Sequence, residues 1–128
     1  MVNKKVPADM TLAQYITDRL QTPFAWGSHD CVCFAIGWIS IVAMEDLMAP
    51  YRPWSTEKKA RAIIKKLGGL ELMFDKNLKR ILPSYAKDGD VALIDGTAYL
   101  FSGNQIVGPG KNGLIFKTRL DATCAWSL

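Results

Sequence analysis

Histidine is almost missing from this chain: His29 is the single one among 128 residues. Three cysteines, Cys31, Cys33 and Cys124, stand in no zinc-ligand spacing, so neither a metal centre nor any other cofactor is expected. Cys31 and Cys33 lie i, i+2 and point to different sides of a helix, which keeps them from bridging each other. Together with the odd count, this fits folding in a reduced, cytoplasmic environment. The start, Met1-Val2-Asn3-Lys4-Lys5-Val6-Pro7, reaches polar residues too soon for the apolar core of a signal peptide. No apolar run reaches the roughly 18 residues of a membrane span; the longest, Cys31 to Met44, is stopped by Glu45 and Asp46. A net charge of +4 is too mild to imply nucleic acid. Repeats and low-complexity segments are absent too, so residues 1–128 are expected to form one domain.

What is present changes code halfway along the chain. The stripe Leu12, Tyr15, Ile16, Arg19, Leu20 predicts a first helix, capped by Asp9 or Thr11 and ended by Pro23. A second helix is expected from Ser28 or Asp30 to about residue 47, apolar around most of its circumference and therefore covered on several sides. Pro50, Tyr51, Pro53 and Trp54 mark a packed loop. Ser55 or Thr56 caps a third helix with a core stripe of Ala60, Ile63, Ile64 and Leu67, and Gly68-Gly69 ends it. Its other side carries Lys58, Lys59, Arg61, Lys65 and Lys66, a solvated face or a docking surface for an acidic partner. A short helix from 70 to 78 follows. After Pro83, residues 91–94, 98–101, 105–107, 114–117 and 124–128 are β-prone, punctuated by Asp95-Gly96, Ser102-Gly103-Asn104 and Gly108-Pro109-Gly110. Helices first and an antiparallel meander second make an α+β domain.

The chemistry-bearing segment is Pro23-Phe24-Ala25-Trp26-Gly27-Ser28-His29-Asp30-Cys31. A thiol in the first turn of a helix feels unpaired backbone N–H groups and the positive end of the dipole, which favour thiolate. Cysteine nucleophiles are commonly mounted this way. Trp26 and Trp38 read as core, with Trp26 also a candidate binding residue beside the thiol. Asp90 reads as a satisfier of turn amides.

In order and spacing, Pro23-Phe24-Ala25-Trp26-Gly27, Asp30-Cys31 and Gly89-Asp90 resemble the NlpC-type cell-wall peptidases, a papain-like family. The compact form, with Gly-Gly-Leu after the third helix, is similar to a bacteriophage branch linked to tail genes. The resemblance implies a papain-like domain whose central buried helix packs on the C-terminal meander, with Cys31 in the nucleophile position. It also implies a histidine opening a later strand. Anchoring that strand pattern on Gly103 puts Thr97 in the histidine slot and Gly108 in the slot of the third polar residue. Phe24 replaces the tyrosine of the loop motif. Both slots are then expected to face Cys31 as degenerate copies. His29, oriented by Asp30, is the remaining candidate base.

Three functions compete. The first is a non-catalytic structural or assembly protein of a phage tail tip, made in the host cytoplasm, carried in the virion and holding other tail-tip proteins. The second is an active cysteine hydrolase that cuts peptidoglycan stem peptides through Cys31. The third is a module that binds such a peptide without cleaving it.

Overall fold

The computed structural model describes residues 10–51 and 54–128. The cap candidate Asp9, the N-terminal segment and the loop proline Pro53 lie outside the described residues. The described residues make an α+β arrangement of four α-helices and a six-stranded antiparallel sheet.

Helix α1 spans Leu12–Arg19, and the Thr11 hydroxyl caps it by accepting the Gln14 N–H at 3.1 Å. Helix α2 spans Cys31–Ala43, capped by Asp30. It ends short of the expected residue 47. Met44 turns left-handed at φ 58°, the Met44 N–H returns to the Ile41 carbonyl, and the Ser40 hydroxyl accepts the Leu47 N–H at 3.1 Å. With no glycine to announce the stop, hydrophobicity alone reads through it.

Cover on α2 is also less complete than expected. Val32, Phe34, Ala35, Ile36 and Ile39 are buried, whereas Val42 is 51% exposed. Val42→Asp is therefore expected to change stability by no more than about 0.5 kcal/mol in chemical denaturation, like other surface substitutions.

Helix α3 spans Glu57–Leu67, with Thr56 rather than Ser55 as its cap and Gly68 at φ 89° as its stop. Helix α4 spans Leu70–Asn77. The strands are β1 Lys79–Ile81, β2 Val91–Ile94, β3 Thr97–Ser102, β4 Gln105–Gly110, β5 Gly113–Thr118 and β6 Cys124–Ser127, in the order β1-β6-β2-β3-β4-β5. Strands β2 to β5 form the expected meander. The last strand returns to the far side of β2, and β1, short and rich in charge, was not visible in the β-propensity pattern.

Gly108-Pro109-Gly110 is strand, not turn: Gly108 pairs with Ile115, Pro109 with Leu114 and Gly110 with Gly113. Gly108 is required for a different reason. A Cβ there would come within 2.9 Å of the Tyr99 ring on β3. The turn falls at Lys111-Asn112.

Side chains alternate across the sheet. Val91, Leu93, Ala98, Leu100, Val107 and Trp126 join the helices in the main core. Ala92, Tyr99, Phe101, Ile106 and Ala125 build a smaller cluster on the other face with Ala86. Helix α2 lies on β3 and β4, so its first residue meets the start of β3.

Candidate functional site: the Cys31 corner

The loop before α2 is closed by its own backbone. The Ala25 N–H donates to the His29 carbonyl at 3.2 Å, and the His29 N–H donates to the Ala25 carbonyl at 2.8 Å. Gly27 sits inside this loop at φ 86°, and a Cβ on it would lie 2.6 Å from the Trp54 carbonyl oxygen. Both the left-handed backbone and the close approach demand glycine. Gly27→Ala is expected to cost about 2 kcal/mol or more in urea unfolding, since strain and overpacking add.

Asp30 binds the corner together. Its Oδ1 accepts the Cys33 N–H at 2.8 Å, and its Oδ2 accepts the Gly27 N–H at 2.9 Å and the Trp54 Nε1–H at 2.8 Å. The aspartate is almost fully buried, and all three donors are thereby satisfied. The Trp-Gly-x-x-Asp-Cys spacing thus has a structural cause. One carboxylate caps α2, folds back the loop and anchors Trp54. An aspartate before an apolar run signals the cap in the sequence, but nothing there points to Trp54.

The Cys31 side chain lies in the first turn of α2, against the start of β3. Burial pushes its thiol pKa up. The Ala98 backbone, hydrogen-bonding to the sulfur, works against that; the Asp30 carboxylate adds to the rise, and the N–H groups of Val32 and Cys31 itself oppose it. The thiolate preference expected from the helix terminus is thus reversed, because loss of water and a neighbouring negative charge outweigh the dipole. Iodoacetamide labelling of Cys31 near neutral pH, followed by peptide mass spectrometry, is expected to be slow in the native protein and fast once it is unfolded. Equal rates in both states would refute this.

The two strand positions expected opposite the thiol are turned away from it. Thr97 shares its side of β3 with Tyr99 and Phe101, and a Cβ at Gly108 would point at the Tyr99 ring. The register is off by one on both strands. Ala98 and Pro109 occupy the side that faces α2, and neither has a group that can carry a proton.

His29 does not fill the gap. It is 6% exposed, with its ring edge-on to Phe34 at 5.8 Å between centroids. Its Nε2 is buried with no hydrogen-bond partner among the described residues. Burial lowers its pKa, the Arg19 guanidinium lowers it further, and Asp30 partly offsets both. A depressed folded-state pKa contributes stability that is present above the ordinary value of about 6.5 and lost as pH falls through the folded value. Wild type is therefore expected to lose stability relative to His29→Leu as pH falls from neutral toward mildly acid. Parallel denaturation curves for the two proteins at every pH would contradict it.

Trp26 is half-buried. Its ring meets Phe24 edge-to-face at 4.9 Å and packs on the main core, as does Trp38. Asp90 accepts the Lys87 N–H at 2.8 Å, the turn role read from the sequence. Lys58, Lys59, Arg61, Lys65 and Lys66 are all exposed on α3, with Arg61 held by Glu57 at 2.6 Å. Among the described residues, no group of three or more His, Cys, Asp or Glu converges as a metal site, and no helix is long and apolar enough to cross a membrane.

Comparison with known proteins adds a family but no activity. No curated protein and no solved structure matches the chain. A family model matches residues 4–128, nearly the whole sequence, and the chain accordingly belongs to the family described as "domain of unknown function (DUF6950)".

Proposed function

We propose that this protein is a non-catalytic structural or assembly component of a bacteriophage tail tip, with a papain-like, NlpC-type fold inherited from a cell-wall cysteine peptidase. The observation that carries the reading is the company Cys31 keeps. A cysteine at the start of a central helix, facing the first residues of a meander strand, is the arrangement the resemblance implies. The positions turned toward it are Ala98 and Pro109.

Amide cleavage needs a thiolate to attack and a proton for the leaving amine. Here burial keeps the proton on the sulfur. The facing strands supply no group to take it or to give one back. In a serine-peptidase triad, loss of the base costs on the order of a million-fold in rate. The phage setting rests on the likeness of the Trp26-Gly27, Asp30-Cys31 and Gly89-Asp90 pattern to the tail-linked branch.

Three measurements test this reading. Purified protein incubated with muropeptides is expected to release no stem peptide. Mass spectrometry of purified virions is expected to find the chain. A Cys31→Ala phage is expected to assemble and infect normally. Stem-peptide release that disappears in Cys31→Ala would overturn the proposal in favour of the hydrolase.

A further inference from the structure

A concave feature formed by residues 50–77 involves none of the residues of the Cys31 corner. A cleft of about 470 Å³ opens between the Ala49–Tyr51 turn, α3 and α4. Its apolar lining is Pro50, Ile63 and Leu67, and its polar lining is Tyr51, Asn77, Lys66 and Lys76.

The polar groups are set for an acceptor. Asn77 donates from Nδ2 to the Tyr51 hydroxyl at 2.6 Å and to the Met73 carbonyl at 2.8 Å. The phenol therefore accepts from Asn77 and keeps its own hydrogen to give. Lys66 and Lys76 are exposed at the rim. The nearby α4 carboxylates are otherwise engaged: Glu71 and Asp75 both hold Arg80, each at 2.8 Å. An apolar floor with a hydroxyl donor and two cations not held by those acids is complementary to an apolar side chain flanked by carboxylates.

We propose that this cleft is a docking site for an acidic segment of a partner protein, with a leucine- or phenylalanine-sized side chain against Ile63 and Leu67 and an adjoining carboxylate at Tyr51, Lys66 and Lys76. A polypeptide fits better than a nucleic acid. The cleft itself holds only Lys66 and Lys76, two point charges on two helices, while Lys58 and Lys65 lie on the far side of α3, so no row of cations runs through it to follow a phosphate backbone. The proposal deepens the assembly reading by giving its partner a chemistry. It is tested without virions, so failure of the tail assignment and failure of the docking site are separable.

The probe is an array of short synthetic peptides carrying one leucine or phenylalanine between aspartates and glutamates. Matched peptides have lysine for each acid or serine for the apolar residue, and a DNA duplex is spotted beside them. The acidic apolar peptides are expected to retain the protein. Retention should weaken about tenfold between low and high salt, because the Debye length falls from ~10 Å at ~0.1 M to ~3 Å at ~1 M. The double variant Lys66→Glu, Lys76→Glu is expected to lose these peptides and gain the lysine-bearing ones. Lys58→Glu, Lys65→Glu, equal in charge change but off the cleft, should retain them nearly as wild type does. Retention of no acidic apolar peptide, equal loss in both double variants, or binding to DNA in preference to the peptides would each overturn the proposal. Circular dichroism of both double variants confirms that they are folded.

Discussion

Asp30→Ala is expected to lower the unfolding free energy by about 3–5 kcal/mol, the cost typical of breaking a buried charge-assisted cluster. The substitution removes one carboxylate and strands three donors: the Cys33 N–H, the Gly27 N–H and the Trp54 Nε1–H. Loss of the helix cap alone accounts for about 1 kcal/mol. The rest comes from the buried Trp54 Nε1–H and from the Gly27 N–H that closes the loop. Asp30→Asn should recover only part of the loss, because its amide nitrogen must face one of the donors. Urea denaturation followed by tryptophan emission measures both, since Trp54 loses its partner directly. A loss below about 1 kcal/mol for Asp30→Ala would mean that the cap is all the aspartate supplies.

That role shows how much of the corner was legible in the chain. A helix start at Ser28 or Asp30, with Cys31 in its first turn, follows from local chemistry, and the structure takes Asp30 as the cap. The five strands from Val91 onward follow from alternation and turn residues in the same way. Trp54 was out of reach, since its bond to Asp30 spans 24 residues and leaves no periodic trace.

Strand register was lost for a related reason. Gly108 reads as punctuation in the sequence, whereas it is there because Tyr99 crowds the neighbouring strand. A slip of one residue turns every side chain to the other face of a sheet. The strand pattern anchored on Gly103 slips by one in this way, so Ala98 and Pro109 stand where Thr97 and Gly108 were expected. Strand β1 escaped because three residues, two of them charged, give alternation nothing to act on. The cleft at Tyr51 and Asn77 has half a signal: the lysines and apolar stripe of α3 are visible, but the rest of its lining, Pro50, Tyr51, Lys76 and Asn77, comes from a turn and a second helix.

The fold itself is tested most severely at Ile36. It is 3% exposed, in the middle of α2 and inside the main core. Ile36→Asp forfeits about 1.5–3 kcal/mol of apolar burial and introduces a carboxylate whose desolvation costs several kcal/mol more. Domains of this size have roughly 5–15 kcal/mol in total. The variant is therefore expected to be largely unfolded at room temperature, with collapsed near-ultraviolet circular dichroism and no cooperative thermal transition. Ile36→Val, which removes one methyl group, should stay folded at a cost of about 0.5–1.5 kcal/mol. Val42→Asp, six residues along the same helix but half exposed, should melt almost as wild type does. The three together separate burial from helix propensity: aspartate is a poor helix former at either position, and only Ile36 is buried in the main core. An Ile36→Asp protein as stable as Val42→Asp would mean that Ile36 is not enclosed in the main core, and the burial of that side of α2 would fall with it.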